Sequence, residues 1–363
     1  MNVSSLKNTI EDNAFFDADK LTANDARPLV LPRPYLLFLG SETDPAFAKS
    51  AYGLKDWIPE QCVGEFSYGD DPLSVGLPFV TPEKGREHGA KSLVIGVANA
   101  GGIILEEWIP HLIDAMDAGL SIVSGMHARL AEVASLKDAA ERNKVKLIDL
   151  RYPPKNIPVG TGRKRTGKRL LTVGTDCALG KKYTALAIHR AFVARNVDVD
   201  FRATGQTGIM IAGGGMPMDA VISDFESGAA ELLSPDAAED HWDVIEGQAT
   251  VLHPSFAAVS VGLLYGSQPD VIVLCHDPSR ETMLGCPDFP VPTIKETLEM
   301  TLALGRRANP NIRCAGISLN TSRYSAEEAE QIIDALNQEM RMPVADPIRG
   351  GKSFGDLVEA CLT

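Results

Sequence analysis

Short runs of consecutive apolar residues alternate with longer amphipathic stretches along most of the chain. In the first half, the runs suited to buried strands are Tyr35–Leu39, Leu93–Val97, Leu120–Val123 and Val145–Leu150. Helical patterns lie between them, most clearly over Leu105–Ala118 and Ala128–Asn143. This alternation of strands and helices predicts a parallel sheet covered by helices.

A second block of the same alternation begins near residue 169, with a helix predicted over Lys181–Arg195. Its strand candidates are Arg169–Val173, Val197–Ala203, Asp243–Glu246, Val271–Leu274, Ala315–Leu319 and Pro343–Ala345. Between the blocks, residues 153–168 are rich in proline, glycine, lysine and arginine without apolar periodicity, which is typical of a linker. The sequence thus predicts an α/β protein with an N-terminal arm at 1–28 and two sheet domains, at 29–152 and 169–363.

The stretch RLLTVGTDCALGKKYTALAIHRAF has the order strand, glycine-containing loop, Gly-Lys pair and amphipathic helix. Backbone N–H groups of such a loop and of the helix N-terminus point at an anion, and the lysine adds a positive charge. We therefore expect a phosphate-bearing ligand on this loop. The residues expected to contact it are Gly174, Thr175, Asp176, Cys177, Ala178, Leu179, Gly180, Lys181, Lys182 and Tyr183.

The spacing of this loop differs from the common phosphate-binding consensus, which has four residues between its first glycine and the Gly-Lys pair. Here five residues separate Gly174 from Gly180. The variant GTDCALGK resembles the GTDxxxGK loop of dethiobiotin synthetase and related P-loop proteins. That resemblance implies that Asn320 reads a nucleobase, and that Asp219 and Asp224 lie in a loop that holds substrate or metal.

The residue after the loop lysine departs from the pattern of nucleotide hydrolases. Those proteins carry a serine or threonine there, whose hydroxyl binds Mg²⁺. This chain has Lys182, and Thr184 follows two residues later. A second cation in place of the hydroxyl favours a ligand whose phosphates are held but not transferred, so we expect no metal ion at this site.

Beyond the loop, residues 30–355 resemble a family described as a domain of unknown function, which pairs an N-terminal Rossmann-like domain with a C-terminal P-loop domain. The most specific stretches are GTDCALGKKYTALAI, RATGQTGIMIAGGG, DAVISDFESGAAE and EGQATVLHPSFAAVSVGLLYGSQPD. Some members are D-glutamate N-acetyltransferases of D-amino acid catabolism. The resemblance implies acetyl-CoA as co-substrate, whose pyrophosphate and 3′-phosphate suit a loop with two lysines. The basic cluster 163–165 is expected either to reach these phosphates or to remain a solvated linker.

Acyl transfer from a thioester to an amine requires that the nitrogen lose a proton and that the developing oxyanion be stabilised. The densest polar cluster for this chemistry is Glu246 and Gln248 with His253 and Ser255. We expect His253 or Glu246 as general base, since histidine titrates near neutral pH, and Gln248 or Ser255 as donor to the oxyanion. An acetyl-cysteine intermediate on Cys177 is less favoured than a small buried side chain.

The two carboxylates of D-glutamate need cationic or N–H partners. Several arginines lie near predicted strand ends, and sequence does not rank them: Arg202, Arg280, Arg323 and Arg349. His276 follows the strand Val271–Cys275, where it would contact the adenine or pantetheine of the donor or cap a turn. The glycine-rich run 212–215 would either wrap an anion or act as a mobile lid.

Composition narrows the class of protein further. A net charge of −13 argues against nucleic acid or an anionic membrane as partner, and no apolar run is long enough to span a bilayer. The six cysteines are scattered without a CxxC pair, and the N-terminus lacks the layout of a signal peptide. We therefore expect reduced thiols and a cytoplasmic protein. The sheet domains and the arm together suggest a homo-oligomer.

Two other functions stay open. A Mg-ATP-dependent ligase or kinase of the dethiobiotin synthetase type would require Mg²⁺ and release phosphate, and Lys182 counts against it. A nucleotide-binding regulatory protein is the second alternative, and the polar cluster around Glu246 and His253 counts against that one.

Overall fold

The computed structural model describes residues 27–99 and 101–363. The arm predicted at 1–28 lies almost entirely outside these ranges and stays a prediction. Within them the chain forms two parallel sheets flanked by helices, one in each half of the sequence, which confirms the predicted α/β class. None of the helices in these ranges is long and apolar enough to cross a bilayer.

The N-terminal sheet has five parallel strands in the order β3-β2-β4-β5-β6. The strands of this half are β1 Leu29–Val30, β2 Tyr35–Gly40, β3 Cys62–Ser67, β4 Ser92–Ile95, β5 Ser121–Ser124 and β6 Leu147–Asp149. The helices are α1 Lys49–Trp57, α2 Pro82–Glu87, α3 Ile109–Asp117 and α4 Ala134–Asn143. The apolar runs of β2 and β4 are buried throughout, as expected for parallel strands covered on both faces.

Some elements of this half differ from the sequence prediction. The strand β3 was not predicted, because its sequence CVGEFS contains a charged residue. Glu65 is nevertheless buried there, and its Oε2 accepts the backbone N–H of Val75 at 2.9 Å. The helix expected from residue 105 begins at Ile109, after a 3-10 turn, because Pro110 lies in its first turn. The helix expected from residue 128 begins at Ala134, after another such turn.

The C-terminal sheet has six parallel strands in the order β15-β14-β11-β7-β10-β8. The strands of this half are β7 Lys168–Gly174, β8 Val199–Arg202, β9 Gly214–Gly215, β10 Trp242–Ile245, β11 Val271–His276, β12 Thr282–Met283, β13 Cys286–Pro290, β14 Arg313–Leu319 and β15 Val344–Ala345. The helices are α5 Lys181–Ala194, α6 Gln206–Ala212, α7 Glu226–Leu233, α8 Ala257–Ser267, α9 Ile294–Gly305, α10 Ala326–Met340 and α11 Gly351–Leu362. Strands β12 and β13 form an antiparallel hairpin.

The glycine-rich run 212–215 is neither an anion-binding loop nor a free lid. Strand β1 pairs antiparallel with β9, which places Leu29 opposite Gly215. A Cβ atom on Gly214 would lie 2.4 Å from the carbonyl oxygen of Leu29, and Gly213 adopts a left-handed conformation with φ of 76°. The glycines therefore allow close approach of the backbone that leads into the N-terminal sheet. Both sequence-based interpretations of this run were wrong.

The segment expected to be a linker contains no helix or strand before residue 168, yet it packs on the C-terminal domain. Arg165 is buried and donates to the carbonyl groups of Ser234 at 2.6 Å and Gly266 at 2.7 Å. Lys164 pairs with Asp270 at 2.8 Å. These contacts lie at the amino end of β7, whereas the phosphate loop follows its carboxyl end. The interpretation that the cluster 163–165 reaches the ligand phosphates was therefore wrong.

Helix α6 joins the two halves, because it belongs to the C-terminal half in sequence but packs into the N-terminal core. The hydroxyl of Tyr35 donates to the carbonyl of Met210 at 3.0 Å. The hydroxyls of Ser50 and Thr207 lie 3.3 Å apart. Gly125, directly after β5, packs so closely that a Cβ there would touch Met210 at 3.4 Å. Helix α6 thus contacts the N-terminal sheet both at Tyr35, the first residue of β2, and at Gly125, directly after β5.

Candidate functional site

The loop between β7 and α5 has the preformed curvature of a phosphate-binding loop. Ala178 and Gly180 adopt left-handed conformations, with φ of 53° and 109°, which turn the backbone sharply between β7 and α5. The ammonium of Lys181 donates to the carbonyl of Asp176 at 2.6 Å, inside the loop. Burial lowers the pKa of Lys181. Because the loop precedes a helix of fourteen residues, its N–H groups and this lysine favour an anion.

The side chain of Asp176 faces the protein interior and anchors the loop. It is fully buried, and its Oδ2 accepts from Arg280 Nη1 at 2.9 Å and from the N–H of Leu284 at 2.8 Å. The same Arg280 nitrogen donates to the carbonyl of Cys177 at 2.7 Å. Asp176 thus ties the loop to the hairpin β12–β13. Arg280, which sequence reasoning offered only as a carboxylate ligand, is a part of the phosphate-loop structure.

His253 is buried behind the loop with both ring nitrogens engaged. Its Nδ1 accepts the backbone N–H groups of Ser255 at 3.1 Å and Phe256 at 3.3 Å. Its Nε2 lies 3.3 Å from the carbonyl oxygen of Leu284 and 3.6 Å from Asp176 Oδ1. The ring is only 1% exposed. These contacts argue against the expected role of His253 as general base and favour a role in supporting the loop.

The donor atoms of Asp176, Cys177 and His253 lie within 4.8 Å of one another, which is close enough for a metal ion. The histidine does not fit that role. Because Nδ1 accepts two N–H groups, the proton of the neutral ring resides on Nε2, which then has no lone pair for a metal. Burial also raises the pKa of the Cys177 thiol, which opposes both metal binding and nucleophilic attack.

Glu246 lies where the sequence places it, directly after β10 and beside the loop. Its Oε2 accepts the N–H groups of Thr204 at 2.9 Å and Gly205 at 3.1 Å. Gln248 Nε2 donates to the Thr204 hydroxyl at 2.8 Å, so the two predicted site residues share one cluster. Burial raises the pKa of Glu246, while these N–H groups and the charge of Lys182 oppose the rise. Among the described residues no hydrogen bond reaches Oε1.

Lys182 stands at the first turn of α5, at the boundary of the two domains. Its ammonium lies 4.6 Å from the centre of the Tyr183 ring, and that ring stacks on Trp57 of α1 with centroids 5.8 Å apart. Thr184, the next hydroxyl on the helix, is turned into the protein. Its Oγ1 lies 2.7 Å from Ser318 Oγ and it is only 2% exposed.

A cavity of about 430 Å³ adjoins the loop on the other side. The residues that line it include Leu179, Tyr183, Thr184, Ser318, Asn320 and Ile348. Its rim is held by Asp346, whose Oδ2 accepts from both the N–H and the hydroxyl of Thr321. Arg349 closes the same rim with a bond from Nε to the Thr321 hydroxyl of 2.7 Å. The cavity therefore joins the residue expected to read a nucleobase, Asn320, to the phosphate loop.

His276 connects this cavity to the loop. A hydrogen bond of 2.9 Å joins its Nδ1 to Thr175 Oγ1, and its carbonyl accepts the N–H of Asn320 at 2.9 Å. Burial lowers the pKa of the His276 ring, so the neutral form is favoured. His276 thus lies between the loop and Asn320 of the cavity lining, and Thr175 occupies one of its ring nitrogens.

The three remaining site candidates are Arg202, Ser255 and Asp224. Arg202 Nε donates to Asp243 at 2.6 Å and its Nη2 pairs with Asp200 at 2.8 Å, so its guanidinium is neutralised at the sheet edge. Ser255 is exposed and caps the His253 ring through its N–H rather than its hydroxyl. Asp224 is exposed in a 3-10 turn. These contacts argue against the expected substrate role of Arg202 and the expected oxyanion role of Ser255.

Sequence reasoning missed Thr204 and Gly205 as partners of Glu246, and Gln206 beside them. The amide of Gln206 donates to Asp219 at 3.0 Å, and Arg151 of the N-terminal half lies 3.6 Å from the same carboxylate. The signal was present, since these residues directly follow β8, at the edge where parallel sheets bind ligands.

Both halves of the chain match models of a single family. The model described as a domain of unknown function, DUF1611_C, P-loop domain, matches residues 158–357. The model described as DUF1611_N, Rossmann-like domain, matches residues 66–153. The crystal structure of a DUF1611 family protein from Anabaena variabilis ATCC 29413 is similar, with 29% identity and a TM-score of 0.77 over 91% of this chain and 99% of that one.

Two curated relatives carry the name D-glutamate N-acetyltransferase. The relative from a Pseudoalteromonas species is 46% identical over 318 residues, which are 88% of this chain and 96% of the relative. The relative from Tritonibacter scottomollicae is 45% identical over 331 residues, which are 91% of this chain and 99% of the relative. The chain therefore belongs to the DUF1611 family, with a Rossmann-like N-terminal domain and a P-loop C-terminal domain.

Proposed function

We propose that this protein is an N-acetyltransferase that moves the acetyl group of acetyl-CoA to the amine of D-glutamate. The observation that carries the proposal is a buried carboxylate, Glu246, beside an anion-binding loop, in a chain 45–46% identical to two relatives named for this activity. A role in D-amino acid catabolism, a cytoplasmic location and a homo-oligomeric state remain predictions from the sequence.

Acetyl-CoA, the proposed acetyl donor, suits both the phosphate loop and the cavity beside it. The N–H groups of the loop and Lys181 would hold the pyrophosphate of CoA. The cavity beside Asn320 has room for the adenosine end, because small-ligand pockets span about 300–1,000 Å³. The pantetheine arm would then run from the loop towards Glu246, where the thioester meets the amine.

Glu246 is the residue we propose as general base. The attacking nitrogen must lose a proton as the amide forms, and a carboxyl group with a raised pKa is a stronger base than an ordinary glutamate. The N–H groups of Thr204 and Gly205 fix Oε2, which leaves Oε1 to take the proton. Gln248 is held in the same cluster and is a candidate donor to the acetyl oxygen.

The direct test is a thiol-release assay with acetyl-CoA and a panel of D- and L-amino acids, with and without EDTA. We expect CoA release with D-glutamate, unaffected by EDTA. Glu246→Gln should lower kcat by about 10²–10⁴-fold, the usual contribution of a general base. Ser255→Ala, at an exposed position of the same loop, serves as matched control and should behave like the wild type.

Release of phosphate from ATP in a Mg²⁺-dependent reaction, without CoA release for any amine, would instead support the ligase or kinase alternative. Binding of nucleotide without turnover of any of these substrates would favour the regulatory alternative. Either result would overturn the acetyltransferase proposal.

A further inference from the structure

In P-loop hydrolases two side chains hold Mg²⁺: the hydroxyl that follows the loop lysine and a carboxylate at the end of a neighbouring strand. In this chain the corresponding positions are Lys182 and Glu246. An ammonium has no lone pair, so Lys182 cannot be a metal ligand. The first of the two positions thus carries a positive charge of its own.

Two of the other oxygens that could hold a cation, Glu246 Oε2 and the Thr184 hydroxyl, already accept hydrogen bonds. Oε2 of Glu246 is held by two backbone N–H groups, and Gly208 packs against it so closely that a Cβ there would lie 2.1 Å away. The hydroxyl of Thr184 forms a hydrogen bond with the hydroxyl of Ser318 and accepts one from the thiol of Cys275 at 3.4 Å. The position that carries the metal-binding hydroxyl in P-loop hydrolases therefore carries an internal cation in this chain.

An aromatic contact holds the ammonium of Lys182 in the first turn of α5. The charge sits over the Tyr183 ring, a cation–π contact, and Tyr183 is itself stacked on Trp57. Burial lowers the pKa of Lys182, while the charge of Glu246 opposes that change. Lys182 lies in the first turn of α5, and Glu246 directly follows β10, which pairs with β7, so the two residues lie at the same edge of the sheet.

We propose that Lys182 is a catalytic residue that takes the place of Mg²⁺: its ammonium neutralises the oxyanion that forms on the acetyl carbonyl, and the loop binds the donor without metal. This inference rests on the proposed acetyltransferase function. The neutral amine nitrogen forms a bond to the carbonyl carbon as the carbonyl electron pair moves to oxygen, and Glu246 takes one proton from the nitrogen. Collapse of this intermediate breaks the carbon–sulfur bond, the electron pair leaves with the sulfur of CoA, and the proton on Glu246 passes to the thiolate or to water.

The test combines calorimetry with kinetics on the full chain. CoA should bind the wild type with a Kd that changes less than about 2-fold between Mg²⁺ and EDTA. Lys182→Met should lower kcat by about 10²-fold or more, the usual cost of losing one oxyanion donor, while the Kd for CoA changes less than about 3-fold. Lys182→Arg, which retains the charge, should keep more activity than the methionine variant. Lys295→Met, exposed on α9, is the control and should match the wild type.

Three results would overturn the inference. The first is CoA binding that requires Mg²⁺. The second is a Lys182→Met variant that weakens CoA binding but leaves kcat unchanged, because the lysine would then be only a phosphate ligand. The third is a Lys182→Met variant with unchanged kcat and Kd. If the wild type releases no thiol with any amine, the proposed function fails. The calorimetric Kd for CoA in Mg²⁺ and in EDTA then shows by itself whether the loop binds CoA without a metal ion.

Discussion

The ring of Trp57, at the end of the first helix, stacks on the ring of Tyr183 with an interplanar angle of 18°. Arg190 lies over the same Trp57 ring, 4.1 Å from its centre, and also donates to the Trp57 backbone carbonyl. This contact joins the N-terminal domain to the first turns of the phosphate-loop helix. The N-terminal domain thereby shapes the site although it holds none of the loop residues.

We expect Trp57→Ala to raise the KM for acetyl-CoA by about 3–10-fold. The change removes an aromatic pair and a cation–π contact, each worth about 0.5–1.5 kcal/mol, next to the loop. Steady-state kinetics measure the effect, and Trp57→Phe, which keeps a ring, is the control. An unchanged KM combined with a lower melting temperature would mean that the contact only stabilises the fold.

The pH dependence should follow Glu246. Burial raises its pKa above the ordinary glutamate value of about 4.3. Because only the ionised form accepts a proton, kcat/KM should increase as pH rises through this raised pKa. Glu246→Gln should lose that limb of the pH profile. A wild-type profile that is flat across the acidic range would contradict the assignment of the base.

Ionised Glu246 should lower the free energy of unfolding of the wild type at neutral pH. A carboxyl whose pKa is higher in the folded state favours folding at low pH, and this contribution is lost as pH rises through the folded pKa. Glu246→Gln should therefore melt at a higher temperature than the wild type near pH 8. The difference should shrink as pH falls towards about 4.3. Thermal melts across this range provide the measurement, and a gain that grows at low pH would contradict it.

Substitution of Gly208 would displace the Glu246 carboxylate without removing it, and therefore tests whether the position of this carboxylate matters. A Cβ at this residue would lie 2.1 Å from Glu246 Oε2, so Gly208→Ala must displace the carboxyl group. We expect kcat to fall at least about 10-fold and stability to fall by about 1–3 kcal/mol, as in other overpacked sites. Gly355→Ala is the matched helical control, because nothing lies within 4 Å of its Cβ position. That variant should be active and about 0.5–1 kcal/mol more stable.

Arg280 tests the anchoring of the phosphate loop. Arg280→Ala would leave the fully buried Asp176 carboxylate with a single N–H donor, and breaking a buried ion pair costs about 3–5 kcal/mol. Since the arginine is partly exposed, we expect the lower end of that range, together with CoA binding weakened by about 10-fold. Arg323→Ala, on the exposed surface, is the control. Calorimetry that finds the same Kd in both variants would contradict a role in shaping the loop.

The strands and the loop were predictable because their signals are local. Buried parallel strands are continuous apolar runs, and a Gly-Lys pair between a strand and a helix is typical of an anion-binding loop. The position of Glu246 beside the loop was predictable as well, because it follows a strand that neighbours β7, and the carboxyl ends of parallel strands share one edge.

The expected site roles that the contacts argue against required particular side-chain directions, which the sequence does not show. His253 and Arg202 are chemically suited to a site, but packing turns the first into the loop's support and pairs the second with Asp243. The basic cluster 163–165 is close to the loop in sequence, yet a full strand separates the two in space. The local sequence does not distinguish a buried polar side chain with all its hydrogen bonds made from a side chain that faces a ligand.

The sequence by itself determined the α/β class, the alternation of strands and helices in two blocks, and the glycine-containing loop of the P-loop domain, since each follows from residue pattern and backbone chemistry. Only the tertiary structure decided which polar residues meet. In the folded chain, Thr204 and Gly205 donate to Glu246, and Arg280 donates to Asp176. The ring of Trp57 in one domain stacks on the ring of Tyr183 in the other. The physical reason is that such contacts join residues far apart in the chain, and their geometry is fixed by the packing of whole elements rather than by neighbouring residues.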